Sequence, residues 1–146
     1  MSLNRIFDIA GSAMSAQSMR LNTTASNIAN ADTASSSTDE VYRARKPVFA
    51  SIQQSVMKTG FNTAFTDMPE SQGVEVKGIV ESDAPLDMRY QPDHPMANDD
   101  GYVMYPNVNV VEEMTDMLSA SRSFQTNVDV MDAAKTMMQR ILTLGQ

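Results

Sequence analysis

The sequence predicts a mainly α fold, with long N- and C-terminal helices packed as a coiled coil and a small irregular or β region between them. Two observations carry this. Phe7, Met14, Leu21 and Ile28 recur at sevens near the start, and Val110, Met117, Phe124, Met131 and Met138 recur at sevens near the end. Apolar residues at that interval form the seam of a supercoiled helix pair. A third observation is the loss of this period between about residues 35 and 106, where short alternating stretches replace it. The implied organisation is residues 1–34, a heptad helix and its joint; 35–106, a small middle region; and 107–146, a second heptad helix.

The first helix has a companion row, Leu3, Ala10, Gln17 and Thr24, that is small or polar beside its large one. A seam of that kind lets a partner helix approach closely on one side. "SNIANADTASSST" (Ser26–Thr38) then crowds asparagine and hydroxyl residues together. These compete for backbone hydrogen bonds and sit badly inside helices. The expectation is a helix stop, with Asn30 in the left-handed conformation and Asp32 or Thr33 bonding the following turn. Asn27, one turn earlier, is placed to reach a carbonyl or a neighbouring helix.

In the middle, "EVYRARKPVFASI" reads as extended, because Pro47 disfavours helix at Lys46. Gly73–Val80 alternates as a strand does, and so does "PLDMRY" through Leu86, Met88 and Tyr90. Asp99–Gly101 marks a turn before another short strand. "KTGFNTAFTDMPESQG" has little periodicity and reads as a loop. Large apolar residues are few here, so this region depends on its neighbours for support.

The last segment, about Asn109 to Leu144, contains neither glycine nor proline. At about 1.5 Å per residue it makes a rod roughly 50 Å long. Its expected companion row is Met114, Ser121, Val128, Lys135 and Leu142; Leu118, Ala134 and Ile141 widen the apolar face beyond one seam. The expected subunit-packing residues are therefore Phe7, Met14, Leu21, Ile28, Val110, Met114, Met117, Phe124, Val128, Met131, Met138 and Leu142. Periodicity alone leaves two readings open: a hairpin within one chain, or stripes that also meet other subunits.

Composition narrows the chemistry. The net charge is −7, and residues 31–106 hold −6 of it. An acidic chain without a basic cluster argues against nucleic acid and anionic membrane as partners. There is no cysteine and one histidine, His94, which excludes thiol chemistry and leaves too few donors for a zinc site. No catalytic residue, cofactor or metal is expected. "DHPMANDDG" (Asp93–Gly101) gathers three aspartates but lacks the order of a calcium loop, and reads as a solvated turn. No stretch is long enough to span a bilayer, and Asp8 interrupts what would be the apolar part of a secretory signal. The expectation is a cytoplasmic protein, or one exported without a cleaved signal.

Both ends also carry recognisable words. "MSLNRIFDIAGSAMSAQSMRLNTTASNIANADT" includes Ala29, Asn30 and Thr33 in the pattern Ala-Asn-x-x-Thr. "HPMANDDGYVMYPNVNVVEEMTDMLSASRSFQTNVDVMDAAKTMMQRILTLG" runs through Gly101, Tyr102, Pro106, Asn107, Arg122 and Asn127. Together they resemble the bacterial flagellar basal-body rod proteins, most closely the proximal rod members. The resemblance implies a structural subunit, exported through the flagellar export apparatus, that assembles helically in the rod crossing the periplasm. It implies as partners further copies of itself, other rod proteins of the FlgB, FlgF and FlgG types, and the basal-body protein FliE. The rival reading is a non-flagellar, translocator-like coiled-coil protein secreted by a type III route.

Overall fold

The computed structural model describes residues 3–53 and 71–144. The expected loop, Lys58–Gly73, lies outside the described residues as far as residue 70, and its last three residues belong to a strand instead. Two helices, α1 (Leu3–Asn30) and α2 (Val110–Leu144), enclose four strands: β1 (Arg45–Gln53), β2 (Ser71–Glu81), β3 (Asp87–Tyr90) and β4 (Tyr102–Tyr105). β1 and β2 form one antiparallel ribbon, with Arg45 opposite Glu81 and Val48 opposite Gly78. β3 and β4 form another, with Met88 opposite Met104 and Tyr90 opposite Tyr102. Ser35 exchanges two backbone bonds of 3.0 Å with Met104, which covers the second edge of β4.

This corrects the expected mainly α coiled coil. About half of the described residues are helical and about a fifth lie in strands, so the β part is a structural partner of the helices. The reason lies in α1, which packs on both sides: against α2 and against the β1–β2 ribbon. Its buried residues are Ala10, Ala16, Thr23, Thr24 and Asn27, all small or polar, whereas Phe7, Met14, Leu21 and Ile28 are half-buried. Small side chains let backbone approach α1 on two faces; the large row fills the flanks. Thr23 and Thr24 bond back to Met19 and Arg20 carbonyls, which satisfies their hydroxyls in that interior.

The register of α2 also differs from the expected one. Glu113, Ala120 and Ala134 are buried, and Asn127, in the same row of sevens, is half-buried. Together with Val110, Met117, Phe124, Met131 and Met138 they form the face toward α1. The expected companion row lies one residue further on: Met114, Ser121, Lys135 and Leu142 are exposed and Val128 is half-buried. Alanine wins the central positions because α1 comes close there, and an apolar count favours methionine over alanine.

Both helix ends have local causes. Asn109 caps α2, its Oδ1 accepting from Val111 N at 3.1 Å and Glu112 N at 3.5 Å; Glu112 and Glu113 follow in the first turn. At the end of α1, no described non-glycine residue has positive φ, so Asn30 is not left-handed as expected. Its Nδ2 bonds Ser26 O at 2.8 Å, while Thr33 Oγ1 and N both bond Asn30 O. The stop is made by Thr33 satisfying an orphan carbonyl.

Candidate subunit interface

The two helices and the ribbon meet at a node built by two asparagines. Asn27 is fully buried. Its Nδ2 donates to Arg45 O at 2.8 Å, and its Oδ1 accepts from Arg45 N at 3.0 Å and Tyr42 OH at 2.8 Å. Asn107 repeats the device from the other side: Oδ1 accepts from Ala44 N at 2.8 Å, and Nδ2 donates to Ser82 O and Ala84 O. The peptides of Ala44 and Arg45 are thereby held by the end of α1 and by the approach to α2. The two helices run antiparallel from this node, and Arg20 of α1 reaches Asp116 of α2 at 2.7 Å.

Further pairs tie the ribbon to this frame. Lys46 Nζ lies 2.9 Å from Glu112, and Arg45 lies 2.9 Å from Glu81 and over the Tyr42 ring. The Lys46 pKa is raised, first by its hydrogen bond to Glu112 and further by the charges of Glu112, Glu113 and Asp116, against an opposing effect of burial. At the far end of α1, Ser12 Oγ donates to Ile9 O and accepts from Val74 N at 3.1 Å. Gly73, at φ +142°, fits there because a Cβ would collide with the Ser12 side chain.

An open groove of about 510 Å³ lies between Ala31–Asp32, Asp87–Arg89 and Asn107–Val110. Its charged groups are already engaged: Arg89 pairs with Asp87 and lies over the Tyr105 ring. His94 Nδ1 accepts from Met96 N and serves its own turn. Among the described residues no group of histidine or carboxylate side chains is arranged to hold a metal ion, and no helix is long and apolar enough to cross a membrane.

The apolar surface is more informative. Val111, Met114 and Leu118 stand on the α2 face turned away from α1, 73%, 52% and 61% exposed. They follow the i, i+3, i+7 spacing of an unpartnered helix stripe. Farther along, Met137, Ile141 and Leu142 are exposed as well. Of the expected packing residues, Met114 and Leu142 are thus open in the single chain. Phe7, Met14, Leu21, Ile28, Val110, Met117, Phe124, Val128, Met131 and Met138 are half-buried, and each retains accessible surface. Ala29 and Thr33 are exposed and Asn30 is half-buried, together on the outer side of the joint. Sequence reasoning missed Tyr42 and Glu113, and had Asn107 among the family words without its contacts.

Comparison with known proteins decides the family. Residues 7–34 match the family described as flagella basal body rod protein, and residues 99–144 match the flagellar basal body rod FlgEFG protein C-terminal family. The flagellar basal-body rod protein FlgC of Salmonella typhimurium is 46% identical over 146 residues, with both chains covered completely. The FlgC of Escherichia coli O157:H7 is 47% identical over the same length, again with complete coverage of both. That of Borreliella burgdorferi is 34% identical over 151 residues, covering all of this chain and 99% of its own.

This chain belongs to the FlgC family of flagellar basal-body rod proteins.

It is a structural subunit of the proximal rod and works with other rod components of the basal body. Nothing among these relatives supports the translocator reading. The FlgC family is a structural one. The node and the two faces of α2 are accordingly parts of an assembling subunit: one face holds the chain together and the other is left bare.

Proposed function

We propose that the subunit enters the rod through its two helices, whose accessible apolar residues are covered by neighbouring subunits. The observation that carries this is the outer stripe of α2, Val111, Met114 and Leu118, which no other part of the described chain covers. Covering such side chains stabilises by about 1.5–3 kcal/mol each, so three are enough to matter in an interface. In this reading residues 1–34 and 107–146 form the assembling part and 35–106 its outer support. The packing set is Phe7, Met14, Leu21, Ile28, Val110, Met114, Met117, Phe124, Val128, Met131, Met138 and Leu142, with Ala29, Asn30 and Thr33 at the joint. The neighbours are further copies, rod subunits of the FlgB, FlgF and FlgG types, and FliE. The chain reaches them through the flagellar export apparatus without a cleaved signal, in the rod crossing the periplasm. The role needs no enzymatic activity.

Leu118→Asp tests it. The side chain is already exposed, so the isolated chain should keep its helicity and be exported normally. Rods should nevertheless fail to form and cells should lose motility, because the charge meets an apolar neighbour. Ser36→Asp, on the exposed loop after α1, should leave motility near normal. Full motility with Leu118→Asp would contradict the proposal.

A further inference from the structure

The β3–β4 ribbon has two edges, and the chain treats them differently. In an antiparallel pair, successive residues bond alternately toward the neighbouring strand and away from it. Gln91 N donates to Gly101 O at 2.9 Å, and Met104 exchanges bonds with Ser35 on the far side of β4. With Asp87 opposite Tyr105 and Arg89 opposite Val103, the backbones of Asp87 and Arg89 bond toward β4, and those of Met88 and Tyr90 point away from it. On the β4 edge the outward groups of Tyr102 and Met104 are all paired. Tyr102 N donates to Asn98 Oδ1 at 2.8 Å, Tyr102 O accepts from Asn98 N at 2.9 Å, and Met104 meets Ser35 through both its N–H and its C=O. On the β3 edge, the N–H and C=O of Met88 and of Tyr90 meet no partner among the described residues.

Folded proteins ordinarily guard such an edge with lysine, proline, a bulge or a covering segment. β3 has no bulge, lysine or proline, and all four of its residues are exposed. Its cation, Arg89, is paired with Asp87. Met88 and Tyr90 share one face, 62% and 65% exposed, with the Tyr102 ring beside that of Tyr90. The surroundings are acidic: Asp83, Asp87 and Asp93 are exposed in and beside the strand, and Asp99 and Asp100 on the turn that leads to β4.

These features fix the chemistry of an occupant. Donors and acceptors alternating along an extended backbone are matched by another extended backbone. Residues of an added strand that lie opposite Met88 and Tyr90 share their face, so apolar side chains suit those positions. The carboxylates favour lysine or arginine beside them. β3 of a second copy does not fit, because pairing two such strands antiparallel sets their acidic flanks against each other.

We infer that the free edge of β3 receives, by strand addition, a short extended segment of another basal-body polypeptide, apolar opposite Met88 and Tyr90 and basic beside them. The contact does not depend on which neighbour covers α2.

The test uses the full-length chain with the photocrosslinking amino acid benzoylphenylalanine in place of Met88, expressed in flagellated cells; intact basal bodies are then irradiated. The expected adduct joins it to one segment of a different polypeptide, with apolar residues at alternate positions and lysine or arginine near them. A synthetic peptide of that segment should bind the purified full-length chain. Met88→Pro removes an N–H that the fold does not use, so Tm should stay close to that of the natural chain. Peptide affinity should nevertheless fall at least about tenfold, because main-chain bonds carry strand addition. Met88→Ala keeps that N–H and should lower affinity less than about threefold. No adduct, an adduct confined to a second copy of this chain, an adduct on a helical or acidic segment, or equal losses with Met88→Pro and Met88→Ala would overturn the inference. Absence of the adduct with Leu118→Asp still blocking assembly would remove this contact while leaving the helix-face reading in place.

Discussion

Asn27 answers a question that the run of asparagines and serines after the first heptads raises. It is held in the interior by three hydrogen bonds, two of them to the backbone of Arg45. An unsatisfied buried polar group costs about 1–3 kcal/mol. Asn27→Leu leaves the Arg45 N–H and C=O without that partner, so it should lower unfolding free energy by about 2–4 kcal/mol in urea titration. A change below about 0.5 kcal/mol, the level of an ordinary surface substitution, would mean the node is not structural. The asparagine itself was legible in the sequence as a residue out of place in a helix. Its target was not, because Arg45 lies on a different element and no local spacing encodes that distance. Asn30 shows the opposite failure. Its type suits a left-handed stop, yet Thr33 takes over that role through Asn30 O.

Lys46 gives the fold a dependence on alkaline pH. Its pKa is raised above 10.5, mainly by the hydrogen bond to Glu112. The folded state therefore favours the ammonium form, and the stabilisation is complete below the unfolded value near 10.5. It is lost as pH rises through the higher folded value. Between about 10.5 and that higher value, unfolding free energy should fall more steeply in the natural chain than in Lys46→Met, by a modest amount because the pair is more than half exposed. Parallel pH curves for the two proteins would show that the ion pair contributes nothing.

At the scale of elements, helix and strand locations follow from period and from proline and glycine placement, but the partner of each face does not. α2 extends from Val110 to Leu144 because nothing in the run breaks it and Asn109 caps it. Its buried row is centred on Ala120 and Ala134 because α1 approaches closely, and that distance is a tertiary fact. Glu113 is the clearest case: a carboxylate that pattern reading assigns to solvent is buried, with Oε2 unpartnered among the described residues. The two-sided packing of α1, which overturned the coiled-coil expectation, has a direct test in Gly73. Its φ of +142° and its contact with Ser12 both exclude a side chain. Gly73→Ala should cost more than about 1 kcal/mol, and Ser12→Gly in the same chain should recover only part of it, since the backbone strain persists. Tm and urea midpoints measure both; natural stability in the Gly73→Ala variant would mean that the ribbon does not sit on α1 in this way.

For the whole molecule, the exposed apolar residues form a pattern instead of a scatter. The described interior is poor in large side chains: among the described residues only Val103 and Asn27 are fully buried bulkier ones. Many of its methionines and leucines lie half-covered or bare along two long helices. In the proposed reading, a subunit built this way gains much of its apolar burial on assembly, as obligate interfaces do. The family is readable from the words at both ends of the sequence; the outer stripe needed the register of α2, which only the fold supplies. The most direct measurement is a density map of intact basal bodies from cells carrying this chain, detailed enough to trace α2. The chain should stand in the proximal rod, with Val111, Met114 and Leu118 covered by a neighbouring subunit. A rod in which that stripe faces open solvent would contradict it.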